Sequence, residues 1–415
     1  MPDGLTATTN EVIKNYTFLG ANSDDEQIGT LALTGNAVGN HVTKGYSFYT
    51  TNPKMKYSGT MEVNSISSFN ASLISGRQIT AKWTNPIQGL GKPYSGVYIR
   101  YQTGSYPTPN SGTIAYKGVA SNSTSGAQSS VTLTLPNLST TYFLTCYSYC
   151  ITSNGELLGG QWKASVATGG VQVISFTSNQ NYIAPAGYST MDIFCVGGGG
   201  SGGFGSYKQG GAGRGGGGGY TATVFNISIT AGETISIMVG AGGLYYTGTG
   251  GGTTSVAVRG ATVCTAAGGD TGYSNGGING TGKGGSGAGE GGAFMTSSSY
   301  YCGGDGGTDG GDGWLGGISN SRAFQFGSKG QGFTTRRFGN SADILYAGGG
   351  AGSSRGPRGW GGTGGAGGGA NGGAFEVTGG NAVAGTGGGG GGGGYTTSVT
   401  AGGNGGSGIV VLKLY

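Results

Sequence analysis

The 415-residue sequence is short of histidine, proline, cysteine and charge: it has one histidine, nine prolines and five cysteines, and only 9% of its residues are Asp, Glu, Lys or Arg. The single histidine, His41, rules out a histidine triad or a histidine general base elsewhere in the chain. Cys146, Cys150, Cys195, Cys264 and Cys302 form an odd, sparse set without a CxxC pair, so buried free thiols are expected. Cys146 and Cys150 lie four residues apart in an expected strand, which sets them about 13 Å apart, beyond the ~7 Å reach of a disulfide. No apolar run approaches the ~18 residues of a membrane span, so no membrane insertion is expected. The opening MPDGLTATTN has neither a basic region nor an apolar core, so no secretory signal is expected either. A net charge of +5 is mild for this length and does not mark a nucleic-acid binder.

What the chain does have is glycine, 102 residues of it. The stretch GDGGTDGGDGWLG places Gly304, Gly307, Gly310, Gly313 and Gly316 at every third position. A second such run holds Gly356, Gly359, Gly362, Gly365 and Gly368, and a shorter one Gly210, Gly213, Gly216 and Gly219. A period of three belongs to polyproline II, a helix with no internal backbone bonds. Glycine at every third place strips one face of side chains, so neighbouring backbones can pair through N–H and Cα–H donors to carbonyls. The bland alternative is a disordered linker, because glycine loses the most entropy on ordering. An ordered glycine lattice is the reading adopted. Collagen is excluded by the short runs and the scarcity of proline. Low charge and 24 tyrosines imply a hydroxyl-rich, aromatic surface suited to carbohydrate or polymer contact.

Three segments follow from the pattern along the chain. In residues 1–61, Val12-Ile13-Lys14-Asn15-Tyr16-Thr17-Phe18 returns as Val42-Thr43-Lys44-Gly45-Tyr46-Ser47-Phe48, and Gly29-Thr30-Leu31 as Gly59-Thr60-Met61, at a constant offset of thirty. Each copy is too short to bury a core, which implies packing on a partner or on symmetry mates. Residues 62–168 alternate in Gln78 to Thr84, Gly96 to Thr103, Val131 to Leu135 and Tyr142 to Tyr149, the mark of a β-sandwich. Residues 170–415 begin and end with strands, Val171 to Phe176, Met191 to Val196, Tyr220 to Ile229, Thr234 to Val239 and Ile409 to Leu414, a framework to anchor the glycine helices. The expected fold is therefore all-β throughout.

Catalytic and metal chemistry find little support. Asp305, Asp309 and Asp312, with Glu290, have the makings of a glycosidase pair, but on a glycine helix they would point to solvent. GGDGGTD misses the calcium nonapeptide G-G-x-G-x-D by one residue, leaving only a calcium ion near Asp305 and Asp309 as an open question. GxGxxG recurs without a strand-to-helix context. Arg214 and the Arg355-to-Gly359 stretch lack the repetition of RNA-binding RGG segments. No enzyme, no metal, no cofactor and no nucleic-acid partner are expected.

Three resemblances add to this. The K-G-Y-x-F … G-T-M pattern resembles short modules in phage tail proteins. Trp83 and the run Leu135 to Tyr142 resemble the strand B tryptophan and tyrosine corner of fibronectin type III domains, although Leu138 precedes Tyr142 by four residues rather than six. The order CVGGGGSGG … GETISIMVGAGG … GSGIVVLKL resembles the glycine-rich domain at the ends of many phage tail fibres and, more loosely, the T-even-like distal adhesins built of stacked polyproline II helices.

These resemblances imply a virion tail protein, made in the bacterial cytoplasm and released by lysis, forming homotrimers. Residues 1–61 would attach to other tail or baseplate proteins, and the tip would bind a host cell-surface glycan or wall polymer. A purely structural baseplate, tail or head-decoration component is the alternative. Candidate receptor-binding residues are Tyr245, Tyr246, Tyr273, Tyr300, Tyr301, Arg322, Phe324, Phe326, Lys329, Phe333, Arg336, Arg337 and Phe338, most of them in the long break Ile318 to Ala347. Trp83 and Tyr142 take structural roles.

Overall fold

The computed structural model describes residues 7–20, 25–52, 54–119, 124–153, 155–206, 211–272, 282–289, 291, 301–313, 317–318, 330–332, 335–340 and 342–415. The chain is all-β, in several antiparallel sheets, with two single-turn 3-10 helices among the described residues. It divides into two compact units, residues 1–169 and 170–415.

Unit 1 opens with the duplicated module. Strands β1 (Thr17–Leu19) and β2 (Glu26–Ile28) form one hairpin, and β3 (Ser47–Tyr49) and β4 (Lys56–Ser58) a second with every pair shifted by thirty. The repeat extends to single bonds. Lys14 N–H donates to Leu31 O and Lys44 N–H to Met61 O, both at 2.9 Å, while Gly29 and Gly59 N–H donate to Tyr16 and Tyr46 O, both at 2.8 Å. The two glycines are required by crowding: a β-carbon would come within 2.3 Å of Val12 O at Gly29 and within 2.4 Å of Thr43 O at Gly59. Among the described residues neither copy contributes a side chain to a hydrophobic core, and Tyr16, Leu19, Tyr46 and Tyr49 are exposed.

The rest of unit 1 is two facing sheets. Strands β5 (Ser68–Ser75), β6 (Gln78–Thr84), β7 (Gly96–Thr103), β8 (Thr113–Val119), β9 (Gln128–Thr134), β10 (Thr141–Thr152) and β11 (Gly155–Ala167) arrange as β5-β6-β9 and β11-β10-β7-β8. Period-two alternation in β6 turns Ile79, Ala81 and Trp83 inward, where they meet Ile99, Leu144 and Cys146 of the other sheet. The expected strands of this segment are present, and β5, β8 and β11 join them. Trp83 Nε1–H donates to Asn85 Oδ1 at 2.9 Å, and the buried Tyr142 hydroxyl accepts the Asn137 N–H at 3.0 Å.

Unit 2 starts as another pair of sheets. Its strands are β12 (Gln172–Phe176), β13 (Gln180–Ile183), β14 (Thr190–Val196), β15 (Gly205–Ser206), β16 (Thr221–Ser228), β17 (Thr234–Met238), β18 (Thr254–Val258), β19 (Ala261–Ala266), β20 (Tyr301–Cys302), β21 (Gly317–Ile318), β22 (Val399–Thr400) and β23 (Ile409–Leu414). Sheet β12-β23-β14-β16 faces sheet β13-β17-β18-β19 across a core of Met191, Ile193, Cys195, Val410, Leu412, Ile235, Ile237 and Val256. The other side of β14 and β23 is also covered: Phe194, Val196, Ile409 and Val411 pack on Tyr346 and Phe338. Burial on both faces explains why MDIFCV and IVVLKL read as near-continuous apolar runs. Cys146, Cys150, Cys195 and Cys264 are buried free thiols, as the sequence implies; the side chain of Cys302 lies outside the described residues.

Beyond their last side-chain-bearing residues, these strands continue as glycine segments. Strand β14 runs into 197–203, β19 into 267–272, while 213–220 leads into β16 and 402–408 into β23. Facing sheets ordinarily stand about 10 Å apart, held off by side chains. Once the side chains are gone the backbones close up and bond in every direction. Segment 197–203 shows the rule. Gly197, Gly200 and Gly203 donate to Tyr220, Gly217 and Arg214; Gly198 and Ser201 to Gly252 and Thr249; Gly199 and Gly202 to Gly406 and Gly403. Its carbonyls accept from three further segments, through Gly269 and Gly272, Gly390 and Gly393, and Gly243. Donors that change neighbour at each residue and return every third describe a three-residue turn, the polyproline II pattern, with a neighbour on each of six sides. Segments 348–354 and 387–394 are enclosed in the same way.

Enclosure dictates composition. Gly387 to Gly394 has eight glycines in a row, and a β-carbon at any of them would lie within 2.6 Å of another atom, 1.7 Å from Ala374 O in the tightest case. A helix with an open side tolerates other residues on that side, which gives the period of three. In the third run, Gly213, Gly216 and Gly219 all donate to one neighbour, at Gly393, Gly390 and Gly387, while Gly210 lies outside the described residues.

The two longer runs need correction. Gly304 and Gly307 lie in one lattice segment, but Asp309 (φ 54°) and Gly310 (φ 76°) reverse the chain before Gly313, and Gly316 lies outside the described residues. Gly356 and Gly359 close a turn through a 2.9 Å bond, Gly362 and Gly365 are lattice residues, and Gly368 (φ 95°) belongs to a further reversal. Glycine is favoured in turns and in the lattice alike, so spacing alone does not separate them.

Two substitutions test this account. Gly391→Ala puts a β-carbon 1.9 Å from Asn371 O and should destabilise unit 2 by more than about 3 kcal/mol in chemical denaturation, whereas Gly89→Ala, with its nearest contact at 3.6 Å, should change stability by less than about 1 kcal/mol. Tyr142→Phe leaves the Asn137 N–H without its acceptor and should cost about 1 kcal/mol in the unfolding of unit 1.

Candidate functional site

The candidate residues taken from the sequence separate into three groups. Tyr273, Tyr300, Arg322, Phe324, Phe326, Lys329 and Phe333 lie outside the described residues, and only the backbone of Tyr301 is described, in β20. Arg336, Arg337 and Phe338 are turned to the fold. Arg336 Nε lies 3.1 Å from Asp309 Oδ2, and Arg337 holds both Asp343 oxygens, through Nη2 at 2.8 Å and Nε at 3.0 Å. Phe338 packs against Phe194, the rings tilted and 6.1 Å apart, beneath the sheet. Only Tyr245 and Tyr246 remain at an exposed surface. They occupy the turn between lattice segments 240–243 and 249–252, pinned by a 2.9 Å bond from Tyr245 N–H to Asn404 Oδ1. Phe204 lies edge-on to Tyr245 at 6.4 Å, Tyr246 meets Tyr245 at 5.7 Å, and Tyr246 is 64% exposed.

The register of the lattice brings a second set together. Segments 197–203, 348–354, 367–373 and 387–394 run parallel: Gly390 donates to Gly200, Gly389 to Gly348, and Ser354 to Gly373. Strand β14 fixes which end is near the sheets, so all four finish at the far end. Phe204, Arg355 and Tyr395 follow three of them directly, and Phe375 follows the fourth after Ala374. Segment 361–365 is antiparallel, with Gly362 donating to Gly352 and Gly365 to Gly349, which puts Trp360 at that end too. Arg355 stacks over the Tyr395 ring at 5.4 Å, Phe375 lies 6.4 Å from it, Trp360 is 48% exposed, and Arg358 is exposed. Residues 174–415 match the family model of the glycine-rich domain. The chain belongs to the glycine-rich domain family. No curated protein matches it.

Within the glycine-rich domain the acidic residues are engaged one by one. Asp305 accepts the Thr363 N–H at 2.7 Å, Asp312 the Gly330 N–H at 2.8 Å, and Asp309 the Thr335 hydroxyl at 2.8 Å beside Arg336. Among the described residues no group of three or more His, Cys, Asp or Glu is placed to hold a metal ion. Unit 1 has a cavity of about 220 Å³ lined by Trp83, Asn85, Tyr94 and Tyr116, where burial pushes the Tyr94 hydroxyl up to about 12. Asn85 is spent there on Trp83 and Ser129, so the cavity reads as sandwich packing.

Sequence reasoning passed over Phe204, Trp360, Phe375 and Tyr395, and weighed Arg355 only for RNA binding, because none sits in a long break. A usable signal was present: each lies at the margin of a glycine run, within two residues of it or at the end of its serine cap.

The Arg337–Asp343 pair gives a pH test. Hydrogen bonding and charge from Arg337 hold the Asp343 carboxyl below its ordinary value, so the pair's contribution is present above the unfolded carboxylate value and is lost as pH falls through the folded one. Asp343→Asn should cost about 1 kcal/mol at pH 7, and the gap to wild type should close in thermal melts taken at progressively more acid pH.

Proposed function

We propose that this protein is a non-enzymatic bacteriophage tail fibre or tail-tip component that binds the host bacterial surface, taking carbohydrate or wall polymer on side chains presented by the glycine-rich domain. The observation that carries the reading is the exposed turn at Tyr245 and Tyr246, pinned by the Tyr245 N–H to Asn404 Oδ1 bond and holding Phe204, Tyr245 and Tyr246 in ring contact. Aromatic rings stack on sugar faces, and rings ordered in advance lose little entropy on contact. Several copies per particle would multiply weak contacts.

The other parts suit the same reading. A three-stranded sheet facing a four-stranded one, a buried tryptophan in β6 and a tyrosine hydroxyl bonded back to Asn137 support a fibronectin type III-like spacer in residues 62–168. In residues 1–61 the described apolar side chains stay outside any core, which suits attachment to other tail or baseplate proteins or to copies of itself in a homotrimer. That same surface favours the second reading, a structural virion component in which both ends are covered.

The test is saturable binding of the tagged full chain to intact bacterial cells and to their purified wall polysaccharides. Binding that free polysaccharide competes away, with no reducing ends released, is expected; the double variant Tyr245→Ala, Tyr246→Ala should weaken it about tenfold or more. Absence of binding by a folded chain would favour the structural reading.

A further inference from the structure

The far end of the lattice carries a surface whose chemistry differs from the neutral aromatic turn at Tyr245. Four backbone segments, 348–354, 361–365, 367–373 and 387–394, deliver Arg355, Arg358, Trp360, Phe375, Glu376 and Tyr395 there, and the bonds that place them are lattice bonds. Tyr395 N–H donates to Ser354 O at 2.9 Å, Glu376 N–H to Tyr395 O at 3.1 Å, and Gly303 N–H to Trp360 O at 3.0 Å. The turn holding Arg355 to Gly359 is closed by Gly359 N–H to Gly356 O at 2.9 Å and by Ser354 Oγ to Gly356 O at 3.0 Å. A half-exposed indole is thus held two residues from an exposed guanidinium, with a second guanidinium over a tyrosine ring. Of the six residues named, Glu376 carries the one negative charge against the positive charges of Arg355 and Arg358.

We infer that Trp360, Arg358 and Arg355 form a subsite for an anionic glycan, in which a pyranose face stacks on Trp360 and its phosphate or carboxylate pairs with Arg358. The inference rests on the surface-binding reading of the glycine-rich domain and sharpens it, since it requires charge on the sugar. Stacking alone would accept any pyranose. An indole beside a planar, always-charged fork selects for an oxyanion carried on or next to the stacked ring. No bond is made or broken.

The experiment measures binding of the full chain to three immobilised polymers, a sugar-substituted glycerol phosphate polymer, a polyuronate and uncharged dextran, at low and high salt, alongside binding to intact cells. Wild type should prefer an anionic polymer, with affinity that falls as salt rises. Preference for the phosphate polymer would identify the oxyanion as phosphodiester, and preference for the polyuronate as carboxylate; either supports the subsite. Trp360→Ala should lower affinity about tenfold or more, and Arg358→Gln about threefold or more for the anionic polymer only. Both positions are exposed, and unchanged melting curves would verify folding. Cell binding with dextran bound as well as the anionic polymers, or with both variants matching wild type, overturns the subsite and leaves surface binding standing. Wild type that binds neither cells nor any polymer overturns the surface-binding reading itself.

Discussion

The structure of unit 2 depends on one interaction, the hydrogen bond from the N–H of one glycine segment to the carbonyl of the next. In a sheet such bonds run in a single plane, and side chains occupy the other direction. Here they leave each segment in successive directions, to Tyr220, Gly252 and Gly406 from three consecutive residues, so little room remains for side chains. Glycine therefore dominates, with only short side chains such as those of Ser201, Ala351, Ser353 and Ser354 admitted, and it brings the highest entropic cost of ordering, while each bond contributes only about 1 kcal/mol net. The lattice is therefore tied to a structure that can bury apolar surface. The sandwich supplies it: β14, β16 and β23 enter or leave the lattice directly, and their register continues into it, Val196 opposite Thr221 being followed by Gly197 bonded to Tyr220.

Much of this was legible in the sequence. Strands such as Gln78–Thr84, Gly96–Thr103 and Ile409–Leu414 were marked by alternation or by unbroken apolar runs, and the duplicated hairpins by an offset of thirty that holds to individual hydrogen bonds. Strand β11, GELLGGQWKASVA, was not legible, because its glycines and largely exposed side chains hide the period of two. The glycine runs misled in detail for a physical reason. A strict period of three was taken as the sign of a lattice helix, yet the most enclosed segment, Gly387 to Gly394, has no period, since it has no open side. The more regular 304–316 and 356–368 runs contain chain reversals.

The surroundings of the candidate residues were legible in the sequence only in part. Aromatic and basic residues on a glycine scaffold were anticipated, and Tyr245 and Tyr246 are held as such. Arg336 and Arg337 follow a different logic, being near Asp309 and Asp343 in space, a proximity that only the folded chain reveals. Conversely, Arg355, Phe375 and Tyr395 are separated by up to 40 positions and meet because parallel segments stop together. Composition can announce an aromatic and basic surface, but the register of the lattice decides which residues share it.

The enclosure of Gly387 to Gly394 also sets how unit 2 responds to temperature. Unfolding a conventional core hydrates hydrocarbon and raises heat capacity; hydrating peptide groups lowers it. A domain that exchanges so much amide-to-amide contact for water should unfold with a small heat-capacity increment for its length. Its enthalpy and entropy of unfolding then drift little between cold and warm conditions, and the free-energy curve is broad and shallow. A domain built in this way keeps its shape across wide swings of temperature, a property that arises from the scarcity of side chains rather than from their packing.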